Sequence, residues 1–257
     1  MEELRRVATP VGNGSHILVP KEWEGYEVVL TKVAEVDPKK EILEILYTHL
    51  ENVIGVYVYG SYARKEFNKT SDVDILVVTN KKISVDVKKP FDVTFVEKSR
   101  IEAFKKLNPV MFYSILSEAE TILNEDFLNE LRGSELKSQF RQYLKAYLED
   151  TGRAARIDRQ LLESGAPDAN LIYSVLLRLR GLLISENLLK NQKFSNSEFF
   201  AILKNRLSRD PKDYYDIYKA VRDNKKTNIS VDYSDAQVLI EILDSQLKSL
   251  KRKLYAK

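Results

Sequence analysis

The sequence predicts an α+β chain: a short β unit, then a small mixed sheet with helices, then an all-α helical bundle. Three observations carry this. Short apolar runs broken by Gly12-Asn13-Gly14 and Pro20 crowd the first thirty-odd residues. Three strand-like runs, near 54–59, 73–79 and 91–96, follow with polar or helical stretches between them. From about Asp126 onward, apolar residues recur every three or four positions, the period of a helix with one buried face. The expected domains are 1–34, 37–125 and 126–257.

Composition narrows the function classes. With 44% hydrophobic and 31% charged residues, the chain can build a packed core and is not expected to be disordered. The absence of cysteine excludes disulfides, thiolate zinc sites and cysteine nucleophiles. No run is apolar enough for a signal peptide or a membrane span, so a cytoplasmic protein is expected. Net charge is +3, but residues 134–257 carry +7 and residues 1–133 carry −4. A basic half suggests an anionic partner such as a nucleotide or RNA.

In the N-terminal unit, Gly12-Asn13-Gly14 is a turn, His16–Val19 an expected strand and Glu27–Lys32 another. Strands this short cannot bury a core alone, so dimerisation or docking is physically required. Pro20-Lys21-Glu22 resembles an element of the AbrB/SpoVT-type swapped-hairpin domains, which dimerise and often bind DNA. Residues 1–34 hold four basic and five acidic side chains, which favours a homodimer over DNA contact. Trp23 is expected in a core or interface, and His16 as an ordinary strand residue.

Asp37 as N-cap with Pro38 at the first helical position starts a helix over 38–52, with Ile42, Leu43, Ile45, Leu46 and Leu50 as its apolar face. His49 lies among these and is expected to be structural. The strand Val56–Tyr59 then runs into Gly60-Ser61, where glycine permits a tight turn and Tyr62–Glu66 can begin a helix. A helix N-terminus presents free N–H groups and partial positive charge, which suit a phosphate. Asp72 and Asp74, two apart in an extended strand, project to the same side. Hard oxygen ligands beside substrate phosphates are how Mg²⁺ is usually held. In the third strand, Phe91, Val93 and Phe95 are expected to face the core, with Asp92 and Thr94 on the other face. Lys81–Lys89 reads as a basic, strand-like excursion. Helices near 98–107 and 109–117 and a strand at Glu120–Leu123 complete this part.

The run GSYARKEFNKTSDVDILVV resembles the Gly-Ser…Asp-x-Asp motif of the DNA-polymerase-β-type nucleotidyltransferases, above all the antitoxin-type minimal enzymes and the kanamycin nucleotidyltransferase group. That resemblance implies Asp72, Asp74 and Asp92 as catalytic carboxylates and metal ligands for two Mg²⁺ ions. It implies Gly60 and Ser61 as the grip on a nucleoside triphosphate, with Arg64 or Lys65 as charge helpers. The implied reaction moves a nucleoside monophosphate to an acceptor, whether RNA, protein or a small molecule, and releases pyrophosphate. An antitoxin-like regulator that modifies a partner protein on tyrosine, and a non-catalytic nucleotide sensor, stay open beside it.

In the helical half, Phe140, Tyr143, Leu144, Tyr147 and Leu148 open a long helix continuing to Leu161-Leu162. Gly165-Ala166-Pro167-Asp168 is a break, with Asp168 an N-cap for the helix through 170–190. Segments at 195–207 and 211–223 and a last helix from about Ser234 make five, an up-down bundle. The bundle resembles the kanamycin nucleotidyltransferase C-terminal domain and the HEPN bundles. HEPN ribonucleases place a histidine shortly after an arginine. Arg222 is present but Asn228 stands where the histidine belongs, so RNA cleavage is not expected. Arg178 and Arg180, inside an apolar run, are expected on the solvent stripe or reaching for a phosphate. Tyr214, Tyr215 and Tyr218 read as packing or as a base-stacking surface.

Overall fold

The computed structural model describes residues 4, 6, 8–30, 37–66, 71–133 and 136–255. The chain divides into two compact units, Met1–Asp37 and Pro38–Lys257.

In the first unit, β1 (Thr9–Val11) pairs antiparallel with β2 (Gly14–His16) across the Gly12-Asn13 turn. Gly12 takes φ +54°, which glycine adopts without strain. The hairpin therefore sits earlier than expected. The two-residue turn sets the register, and that register ends the strand at His16, where a strand had been expected to begin. A 3₁₀ turn follows at Lys21–Trp23. Residues 27–30 are not a strand, and residues 31 and 32 lie outside the described residues. No described residue of this unit is buried, and Leu18, Tyr26, Val29 and Leu30 are exposed.

The second unit holds a four-stranded sheet of order β5-β4-β3-β6, with β3 at Val53–Tyr59, β4 at Val73–Thr79, β5 at Phe91–Glu97 and β6 at Glu120–Leu123. Only β4 and β5 run parallel. The helix expected over 38–52 is α1 (Pro38–Leu46), tightening into a 3₁₀ turn at Tyr47–Asn52. Next come α2 (Gly60–Ala63), α3 (Ile101–Leu107), α4 (Pro109–Glu118) and α5 (Glu125–Arg132). The long α6 (Leu136–Ser164) and α7 (Ala169–Leu189) precede α8 (Asn196–Lys204), α9 (Pro211–Arg222) and α10 (Tyr233–Tyr255). The helical pattern expected from about Asp126 opens with the short α5, capped by Asn124, whose side chain accepts the Phe127 N–H at 3.1 Å. Asp168 caps α7 as expected, accepting the Leu171 N–H at 2.8 Å.

Both faces of the sheet are covered. Phe91 is buried and Val93 and Phe95 half-buried, but the face carrying Asp92 also carries Leu76, Val78 and Val96. Those three, with Tyr57, join one continuous core with Phe112, Leu144, Leu176 and Leu243 of the helices. The boundary expected at 125/126 is therefore not a gap in packing. The aspartates lie at the end of the face that the helices cover.

The two arginines of α7 are not on a solvent stripe. Arg178 donates to the Ser174 carbonyl at 2.8 Å and lies 3.6 Å from buried Asp158. Arg180 sits among the rings of Phe194, Phe199, Tyr215 and Tyr218 and donates to the Tyr215 hydroxyl at 2.5 Å. Tyr214 is fully buried and donates to Asp235 at 2.7 Å. Among the described residues no helix is long and apolar enough to cross a membrane.

Candidate active site

The site is built at one end of the sheet. On the parallel strands β4 and β5, Asp74 stands opposite Asp92, and on β3 Tyr59 stands opposite Asp74. Residues paired across neighbouring strands share a face, so both carboxylates project to the same side. Asp72 lies two residues before Asp74, just ahead of β4. Tyr59 flanks the acids with its hydroxyl 3.3 Å from Thr94 Oγ1.

Gly60 turns the chain from β3 into α2 with φ +72°. A Cβ there would stand 2.1 Å from Asp74 Oδ2, so both the backbone conformation and the close approach demand glycine. The sequence reading needed glycine only for the turn. The structure adds that Asp74 is pressed against it.

Burial pushes the Asp74 carboxyl up to about 7, and the like charges of Asp92 and Asp72 push the same way, while Arg222 opposes them. Asp92 is exposed. Asp72 is half-buried, with Oδ1 3.4 Å from Lys89 Nζ and Oδ2 4.0 Å from an Arg222 nitrogen. Arg222 arrives from the last turn of α9 and also donates to Asp223 at 2.8 Å.

The turn itself is held from α4. The Gly60 N–H donates to Glu118 Oε1 at 3.0 Å, and Arg64 donates to Glu118 Oε2 at 2.7 Å. Arg64 also donates to Glu66 at 3.0 Å. Of the two cations expected to help with phosphate, Arg64 is therefore occupied. Lys65 is exposed and forms no ion pair among the described residues. A cleft of about 440 Å³ opens beside it, lined by Ala63, Arg64, Lys65, Lys193, Phe194 and Ser195 among others.

Among the described residues, no three carboxylates or imidazoles are already gathered at ligand spacing. The donor set nevertheless fits a hard divalent cation: carboxylate oxygens only, with Asp92 facing Asp74 and raising the proton affinity of Asp74. Asp72 would have to exchange its contacts with Lys89 and Arg222 to join them.

Sequence reasoning did not find Glu118, since a glutamate closing a helix carries no signal of a partner elsewhere in the chain. It weighed Arg222 only for cleavage of RNA, because nothing local ties α9 to β4.

Residues 39–157 match the nucleotidyltransferase domain family. Among curated proteins none matches the chain significantly. Among solved structures, the chain is similar to the spectinomycin adenyltransferase AAD(9) from Enterococcus faecialis with ATP and spectinomycin, at 17% identity over 81% of this chain and 97% of that one, with a TM-score of 0.44. It is also similar to a nucleotidyltransferase-like protein from Exiguobacterium sibiricum, at 16% identity over 84% of this chain and 78% of that one, with a TM-score of 0.36.

Proposed function

We propose that the nucleotidyltransferase carried by residues 39–157 moves a nucleoside monophosphate from a nucleoside triphosphate to a hydroxyl or similar acceptor and releases pyrophosphate. The observation that carries this reading is the pairing of Asp74 with Asp92 across β4 and β5, beside a turn at Gly60 where any side chain would be strained and would crowd Asp74.

Asp72, Asp74 and Asp92 are the residues that would hold Mg²⁺. Bound there, the ions would supply charge neutralisation on the phosphates and Lewis-acid activation of the reacting phosphoryl group. To serve as a ligand, Asp74 would have to be deprotonated. Asp92, the most exposed of the three, is assigned the proton of the attacking group, whose oxygen bonds to the α-phosphorus as the bond to pyrophosphate breaks. Ser61 and the turn after Gly60 bind the triphosphate, with Lys65 adding positive charge. Arg222 balances Asp72 until the nucleotide arrives and then offers its guanidinium to the phosphates. Catalysis on this reading is positioning and electrostatics rather than covalent chemistry.

The basic surplus of residues 134–257 supports a phosphate-bearing partner. The N-terminal unit, which buries no described residue and exposes Val29 and Leu30, is assigned to homodimer formation.

The test is incubation with each α-labelled nucleoside triphosphate, Mg²⁺, and either total RNA or lysate protein. Label should move to one of these acceptors, and Asp74→Asn should abolish the movement. Absence of both label transfer and pyrophosphate release with every triphosphate would overturn the reading.

A further inference from the structure

We propose that Glu118 is a positioning residue for cation and nucleotide binding: it pins the Gly60-Ser61 turn and keeps Arg64 away from the aspartates. The proposal rests on the reading that this corner binds a metal and a triphosphate.

Glu118 ends α4 and is only 5% exposed. A carboxylate buried to that degree is tolerated only if charge and hydrogen bonds compensate it. Its two oxygens do different work. Oε1 accepts the Gly60 N–H, a donor that the start of a helix would otherwise leave without a partner in its own helix. Oε2 accepts from the Arg64 guanidinium in a short, charge-assisted bond. Glu66 takes a second Arg64 nitrogen, and the guanidinium lies 5.9 Å from the centre of the Phe194 ring. Arg64 is thus held on three sides.

The charges nearby explain why that matters. Asp74 and Asp92 face each other across β4 and β5, and nearby Asp72 already draws in Arg222 from α9 and Lys89 from the loop before β5. Arg64 lies only four residues beyond Gly60, against which Asp74 is packed. An arginine can bridge a carboxylate through two donors at once, so Arg64 released toward Asp74 or Asp92 would compete directly with a divalent cation. Glu118 gives it a buried partner instead. A purely structural glutamate would change stability alone. A positioning glutamate changes cation affinity, and does so through Arg64.

Three full-length variants separate these roles: Glu118→Gln, Glu118→Gln with Arg64→Met, and Glu118→Ala. Mn²⁺ binding to the nucleotide-free protein is measured by calorimetry, amide hydrogen exchange is followed over residues 59–66, and KM and kcat come from label transfer. Glu118→Gln keeps an acceptor for the Gly60 N–H but loses the charge that holds Arg64. It should weaken Mn²⁺ binding by about tenfold or more while exchange stays near wild type. Adding Arg64→Met should restore Mn²⁺ affinity to within about threefold of wild type, because the competitor is gone. Glu118→Ala should raise exchange at Gly60–Glu66 by about tenfold and raise KM for the triphosphate more than it lowers kcat. Unchanged Mn²⁺ affinity in Glu118→Gln, or no rescue by Arg64→Met, overturns the proposal. Should the wild-type protein transfer no nucleotide, the functional reading fails, while Mn²⁺ binding and exchange still decide the role of Glu118.

Discussion

Asp74 and Asp92 stand directly opposite one another on the only parallel pair of strands in the four-stranded sheet, two carboxylates of like charge presented to one side. Their repulsion, added to burial, shapes how the protein responds to pH.

Asp74 ionises near 3.8 in an unfolded chain and at about 7 in the folded protein. The folded state thus binds this proton more tightly than the unfolded state. Its contribution is present at low pH, is lost progressively as pH rises from about 4 to 7, and is fully lost above that range, the reverse of an aspartate held in an ion pair. Asp74→Asn should therefore leave stability near wild type at pH 4 and raise it at pH 8 by on the order of 2–4 kcal/mol, while abolishing transfer. Urea titrations at the two pH values check this. Equal effects at both would disprove the shift.

Gly60→Ala should do the opposite. A methyl group would meet Asp74 Oδ2, and alanine disfavours φ +72°. A loss of about 1–3 kcal/mol in stability is expected, with at least a hundredfold drop in label transfer as Asp74 is displaced. Alanine at the open Gly165, where a Cβ meets nothing within 4 Å, is the control.

Arg222→Ala removes a cation that lowers the proton affinity of Asp74 and neighbours Asp72. The Asp74 titration, followed by carboxyl NMR, should move further upward. KM for the triphosphate should rise about tenfold, or ~1.4 kcal/mol. Because Arg222 is exposed, global stability should change by less than about 0.5 kcal/mol.

Arg180→Ala tests the packing of the helical half. Its guanidinium lies 5.2–5.9 Å from the centres of four aromatic rings and is hydrogen-bonded to Tyr215. Loss of about 2 kcal/mol is expected by denaturant unfolding, and Arg180→Lys should recover only part of it, since a lysine lacks the planar face.

Val29→Asp probes the N-terminal unit. Val29 is 84% exposed, so in a monomer the change should be nearly neutral. If the unit joins two copies, the mass in solution should fall from dimer toward monomer. An unchanged mass by sedimentation would remove the homodimer assignment.

Much of the sheet was legible from local pattern. The runs near 54–59, 73–79 and 91–96 correspond closely to β3, β4 and β5, since buried strands of β-branched residues bounded by turns leave few alternatives. The Asp168 cap and the helices it separates were legible for the same reason. The hairpin was misplaced because apolar content suggested His16–Val19, whereas turn geometry set the register. Arg178 and Arg180 were misassigned because the solvent stripe of a helix is defined by what packs against it. Here, Asp158 from α6 and the aromatic rings of α8, α9 and the loop before α8 meet them.

By itself the sequence determined the three central strands β3, β4 and β5 and where glycine turns the chain into α2. These are properties of neighbouring residues, and local pattern is enough to establish them. Only the tertiary structure decided that Asp92 comes level with Asp74, that Glu118 holds Gly60 and Arg64, and that Arg222 reaches Asp72. Those meetings depend on strand register and on how distant helices close over the sheet, which no local period encodes.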